Sequence, residues 1–215
     1  PDVVRHFLAM KVDGIVLVGS TLEAGDTLIR GMKEGACPTV LVDPVNDLPF
    51  TKVRLAREWA MRLIFEHFCA LGHRKFGFLG IDDAVPYGAD RWRGTLREAR
   101  RHGLSAKRDF TLLSIPSEAT QDYNYGWKLA NRLQGVKEQP TALIALNDRV
   151  AIGAMKNLID RGFEIPRDYS IVGFDNLEVT AYTRPALTTI DQQVEVMMSN
   201  AVGTLIREIE SEVET

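Results

Sequence analysis

The 215-residue sequence carries 26 Lys and Arg against 29 Asp and Glu, for a formal net charge of −3, and 45% of it is hydrophobic. That length accommodates one large domain or two small ones. The charge balance argues against a chain that grips nucleic acid alone, because phosphate neutralisation dominates such affinity. No helix-turn-helix pattern, signal peptide or apolar run of the roughly 20 residues a membrane helix needs is visible.

Cys37 and Cys69 are the only cysteines. Neither belongs to a C-x-x-C pair and both sit in apolar company, which predicts a reduced, cytoplasmic protein.

In chain order, residues 3–10 read as the end of a helix, and Asp13-Gly14 as a turn. Residues 15–18 form an apolar strand, 23–34 a helix closed by Gly35, and 39–42 a second buried strand closed by Asp43-Pro44. Two strands are too few for an independent sheet with two helix layers. From about Val53 the pattern changes. Residues 57–71 are helical, with Ala60, Leu63, Ile64, His67 and Phe68 on one face and Gly72 as the stop. A strand at 75–79 leads into a loop at 80–90, and Asp90 is the expected cap of a helix running to about His102. A strand at 111–115 and a helix at 123–133 follow.

Residues 140–176, PTALIALNDRVAIGAMKNLIDRGFEIPRDYSIVGFDN, predict a strand, a helix and a parallel strand. Thr141 to Leu146 is a short apolar run. Asn147-Asp148 ends it, and either side chain can accept from a free N–H of the next helix. Ala151, Ala154, Met155, Leu158 and Ile159 make one helical face, Gly162 suits a left-handed terminus, and Pro166 prevents resumption. The strand at 169–174 ends in Asp175-Asn176. A right-handed crossover brings both polar pairs to the same sheet edge. Small ligands bind beyond the carboxyl ends of strands in such sheets, so the pairs are either caps or acceptors for a ligand rich in hydroxyls. After Gln192 a last helix, with Val194, Met197, Met198, Ala201, Leu205 and Ile209 on its apolar side, runs to about Glu210.

The segments LGHRKFGFLG (71–80), RWRG (91–94), PTALIALND, IPRDYSIVGFDN and PALTTIDQ (185–192) stand in the order and at the spacing of the LacI/GalR family of bacterial transcription regulators. Together they span nearly the whole chain, which resembles the effector-binding core of that family. The resemblance implies an α/β fold of two Rossmann-like lobes with parallel sheets and a ligand cleft between them, of the type I periplasmic-binding-protein kind. The first lobe would comprise 1–52 plus 193–215 and would be incomplete, and the second 53–192. It implies a fragment: a DNA-reading headpiece, then two strands and a helix, would precede residue 1, and a last crossover and strand would follow residue 215. The implied partners are a small-molecule effector, carbohydrate or carbohydrate-like, operator DNA through the headpiece, and a second copy in a homodimer, with no membrane.

The candidate ligand-binding residues are Arg91, Asp175, Asn147, Gln192, Leu55, Tyr87, Asp148 and Gln121. Arg91 matches the family's arginine that donates a forked pair of hydrogen bonds, a geometry suited to the planar guanidinium; by type alone it is a solvated helix-start residue. Asp175 can accept from two adjacent hydroxyls, and charged acceptors strengthen such bonds. Asn147 offers donor and acceptor. Gln192 matches the glutamine of the family's TTI-x-Q segment, and Leu55 an apolar contact under the ligand. Tyr87 precedes Arg91 in its loop. Three departures stand out: Ala56-Arg57 replace a usual Asp-Asn, Gln121 stands where the family has an aromatic residue that Tyr123 could replace, and the earliest first-lobe ligand residues precede Pro1. Asp43 and Ser20 are weaker first-lobe candidates.

No catalytic, cofactor or metal site is expected. His6, His67, His73 and His102 show no metal spacing, no phosphate loop or nucleophile elbow is present, and Asp82-Asp83 reads as a loop cap. Arg93, Arg97, Arg100 and Arg101 form a stripe read as solvated surface. The rival readings are a sugar-binding protein of a transport system and, less well supported, a Rossmann-type enzyme.

Overall fold

The structure, a computed structural model, describes residues 2–19, 22–23, 26–34, 37–81, 88–115 and 122–213. The chain divides into two compact units, Pro1–Leu55 with Gln193–Thr215, and Ala56–Gln192.

The first unit holds α1 (Asp2–Ala9), β1 (Ile15–Val18), α2 (Thr27–Glu34), β2 (Thr39–Val42) and β3 (Thr51–Val53). All three strands are parallel, in the order β1-β2-β3. Val40, Leu41 and Val42 are at most 1% exposed. Burying one such side chain is worth about 1.5–3 kcal/mol, so the central strand anchors the unit. Leu41 packs with Ile29 of α2 and with Leu48. Val40 and Val42 pack with Ala201 on the long helix that follows Gln193 and closes the other face. A Cβ on Gly14 would come within 2.8 Å of Leu205 on that helix. Asp26, three residues later than the expected helix start, accepts from Leu28 N–H at 2.9 Å and so begins α2.

The second unit holds α3 (Arg57–Ala70), β4 (Phe76–Leu79), α4 (Gly88–Arg101), α5 (Ala106–Asp109), β5 (Phe110–Leu113), α6 (Tyr123–Arg132), β6 (Ala142–Ala145), α7 (Asp148–Asp160), β7 (Ser170–Phe174) and β8 (Thr188–Ile190). The remaining helix, α8 (Val194–Val213), is the one described in the first unit. All five strands are parallel, in the order β5-β4-β6-β7-β8. Phe76 and Phe78 of β4 pack against Met61, Ile64, Phe65 and Phe68 of α3. Leu79, Leu143 and Ala145 face the opposite cluster, with Leu129 of α6 and Ala151, Ala154 and Leu158 of α7. Alternate residues thus serve two helix layers, as a strand buried on both faces requires. Gly126 and Gly153 let α6 and α7 touch: a Cβ on either would strike a backbone carbonyl, of Val150 or Tyr123 respectively.

The structure is α/β with parallel sheets in two sets, as expected. The short strands β3 and β8 carry no strand pattern of their own; the family resemblance alone implies crossing strands near 50–54 and 190–193. Asp90 does not cap α4: the helix already begins at Gly88, and Asp90 pairs with Arg93. The expected Gly35 helix stop and the loop carrying Asp82-Asp83 lie outside the described residues.

Candidate functional site

Strand order reverses between β4 and β6. The chain leaves β4 toward β5 on one side, then crosses over to build β6, β7 and β8 on the other. The crevice beyond the carboxyl ends of strands at such a reversal is where open α/β sheets bind small molecules. Arg91 lies there. It sits on α4, after β4, is only 5% exposed, and donates from Nη1 to the carbonyl of Leu146 just past β6. Its guanidinium carbon stands 3.7 Å from the ring centroid of Phe174, the last residue of β7. A guanidinium so stacked holds one plane, which directs its remaining N–H groups.

The register explains the neighbouring polar tips. Ile144 pairs with Val172, and three positions beyond each come Asn147 and Asp175. Asp175 donates its backbone N–H to Ile190 of β8 at 2.9 Å. The tip of β7 is held in backbone geometry that L-residues rarely adopt: φ is 129° at Asp175 and 58° at Asn176. Such strain costs of order 1–3 kcal/mol per residue and survives where surrounding structure enforces it. Burial pushes the Asp175 carboxyl above its ordinary pKa, and the nearby charge of Asp148 adds to this. The Gln192 amide, which donates to Oδ1 of Asp175, and the charges of Arg91 and Arg149 pull it back.

Asn147 is the N-cap of α7, its Oδ1 accepting from Val150 N–H at 2.8 Å. Asp148 is a correction: although it stands beside Asn147, it does not face a guest. It is 0% exposed, and its oxygens accept from Leu177 N–H at 2.7 Å and from the Thr189 hydroxyl at 2.6 Å. Gly173 makes room for it, since a Cβ there would meet Asp148 Oδ1. Asp148 is therefore a buttress that ties the start of α7 to the turn after β7 and to β8. Its place in the first turn of a helix suits a buried negative charge.

Leu55 is half-buried at the end of the first unit. Asp43 ends β2 with φ 52° and donates its N–H to Val53 at 2.8 Å. Tyr87, Gln121 and Ser20 lie outside the described residues. Tyr123 is 45% exposed at the first position of α6. Three residues at the carboxyl edge were not anticipated. Phe174 supplies the face on which Arg91 stacks, Thr189 completes the Asp148 buttress, and Arg149 is an exposed cation acting on Asp175. Arg149 carries a sequence signal, since a cation in the first turn of a helix opposes the helix dipole.

Elsewhere three of the four arginines of the α4 stripe are paired: Arg93 and Arg97 with Glu58, and Arg101 with the buried Glu98. Among the described residues no group of three or more His, Cys, Asp or Glu is placed to hold a metal, and no helix is long and apolar enough to cross a membrane.

Residues 65–215 match the family model of the periplasmic binding protein-like domain. The chain is 26% identical over 217 residues to the HTH-type transcriptional repressor PurR of Mannheimia succiniciproducens, covering 97% of this chain and 62% of that protein. It spans about three fifths of the length of the first curated relatives it matches. Among solved structures, a LacI transcriptional regulator from a Rhodococcus species shares 28% identity at a TM-score of 0.81, over 96% of this chain and 74% of that one. A LacI family regulator from Enterococcus faecium, solved with bound ribose, shares the fold at a TM-score of 0.83 and 23% identity, over 98% and 76% of the two chains. This chain belongs to the periplasmic binding protein-like domain family, in the form that makes up the effector-binding core of LacI/GalR regulators.

Proposed function

We propose that the chain is the effector-binding and dimerisation core of a LacI/GalR-type transcriptional regulator. Its effector is a sugar or sugar-like molecule bound at the carboxyl edge of the second unit. The observation that carries this reading is Asp175 itself: it is engaged by the Gln192 amide on a tip held in strained backbone, and it feels the charge of Arg91, which lies beside the strand-order reversal. Arg91 donates to ligand oxygens, Asp175 accepts from hydroxyls, and Asn147 presents its polar tip beside them. The Enterococcus relative with bound ribose supports a carbohydrate. Tyr87 and Gln121 join the proposed contact set by resemblance.

The effector acts on DNA through a headpiece outside these residues, and it does so only if it binds one arrangement of the regulator better than another. The regulator works in the cytoplasm as a homodimer and is not an enzyme. Calorimetric titration of the purified chain with D-ribose, sucrose, cellobiose and a set of nucleosides tests the reading. Binding of a panel member that is strongly weakened in Asp175→Asn supports it, and silence across the panel from folded protein overturns it. Sedimentation of the same sample tests the dimer. The repressor names of the relatives favour a regulator over a transport-system sugar-binding protein.

A further inference from the structure

Asp175 stands in a conflicted environment. It is largely desolvated, it lies near the fully buried carboxylate of Asp148, and it terminates a strand in unfavourable φ. A carboxyl in such surroundings gains from taking up a proton, yet a protonated group is a poor acceptor for ligand hydroxyls. The charged groups that act on it are Asp148 and Arg149 at the start of α7 and Arg91 on α4. One neutral side chain engages it directly. Gln192, two residues past β8 and the last residue of the second unit, donates its amide Nε2–H to Asp175 Oδ1. The backbone bond from Asp175 N–H to Ile190, at 2.9 Å, holds the two strand tips side by side and so brings the Gln192 side chain within reach of Asp175.

We propose that Gln192 is a positioning residue: its amide locks the Asp175 carboxylate into one orientation and keeps it charged, leaving Oδ2 to accept from the effector. The resemblance makes Gln192 a ligand contact; the geometry makes it the holder of the residue that contacts the ligand. A glutamine suits this task. A Lys or Arg would neutralise Asp175 and compete for it, and a hydroxyl is too short to span two strand tips. The inference rests on the reading of Asp175 as an effector acceptor.

The test reads the carboxyl group itself and needs no effector. Carbon-13 NMR titration of the aspartate carboxyls, with the Asp175 signal assigned from Asp175→Asn, is run on the wild type, Gln192→Leu and Gln192→Glu. Leu removes the donor at similar volume, and Glu replaces it with a second negative charge. The Asp175 midpoint is expected at the lowest pH in the wild type, higher in Leu and highest in Glu. Calorimetric titration with D-ribose, sucrose and cellobiose, if the wild type binds one of them, is expected to fail at a higher pH in Leu than in the wild type. Equal midpoints in all three proteins overturn the inference, even where a sugar binds. Ordered midpoints without binding of any sugar uphold the Gln192–Asp175 coupling while sinking the carbohydrate assignment, so the two failures are distinguishable.

Discussion

The two edges of the second unit's sheet are built on opposite principles. At the amino edge charged and polar groups meet partners. Asp109 accepts from Arg108 at 2.8 and 2.9 Å and from Ser105 N–H at 2.8 Å, with Lys75 at 3.4 Å. His73 bridges Thr141 at 2.8 Å and Ser170 at 3.0 Å, tying together the starts of β6 and β7. Beside them lies a pocket of about 220 Å³ lined by Phe68, Leu71, Met155, Ser170 and Leu187. At the carboxyl edge, charge is buried and the backbone is strained, and the carboxylate of Asp175 is held in a form its surroundings oppose. One edge optimises stability; the other spends it where a ligand would be read.

That contrast can be broken most forcefully at Gly173. Gly173→Ala drives a methyl into Asp148 Oδ1 and is expected to cost about 3 kcal/mol or more, read as a lower denaturant midpoint. A near-wild-type midpoint would mean that Asp148 is not a buttress. Next comes Asp175→Asn, expected to weaken sugar binding by about 100-fold, or ~2.7 kcal/mol, in calorimetry. The same change should leave the melting temperature unchanged or raise it. The folded pKa of Asp175 lies above its unfolded value, so the native state holds the proton longer and stability falls as pH rises through that window. A clear loss of melting temperature would place Asp175 with the stabilising residues and erase the distinction between the edges.

The amino edge should respond with the opposite sign. Arg108 above all, helped by Ser105 N–H and Lys75, holds Asp109 well below the usual carboxylate range. Asp109→Asn is therefore expected to destabilise the fold by about 1–2 kcal/mol at neutral pH, with no effect on sugar affinity. Its contribution is present above the unfolded value and fades as pH falls toward the folded one. The smallest effect is at His73, whose pKa burial holds below its ordinary value. The unfolded chain binds the proton first, so stability present at neutral pH should decline as pH drops below about 6.5. Thermal melts from pH 8 to 5 should show a slope that shrinks in His73→Gln.

What could be read from the sequence follows the range of the forces involved. Phe76–Leu79, Ala142–Ala145 and Ser170–Phe174 announce themselves because a strand buried on both faces must be apolar throughout. Asn147 reads as a cap because its partner, Val150, is three residues away. β3 and β8 have no local strand signal, and only the resemblance points near them, because Thr-Lys-Val and Thr-Thr-Ile are short, partly exposed edge segments that become strands only when a parallel neighbour supplies the hydrogen bonds. Asp148 was misjudged because its partners, Leu177 and Thr189, lie 29 and 41 residues away. Its adjacency to Asn147 suggests a shared role, while the fold turns one residue to the rim and the other inward. Arg91 and Gln192 came from family resemblance, since neither an arginine at a helix start nor a glutamine after a strand is distinctive by type.

The parallel arrangement of β6, β7 and β8 also sets a gauge. Neighbouring strands lie about 4.8 Å apart, so the outer two of these three tips are separated by roughly 10 Å. On the proposed reading, a molecule that touches the backbone at the ends of β6 and β8 together would have to bridge that distance, and comparing monosaccharides with disaccharides at this edge would measure its reach.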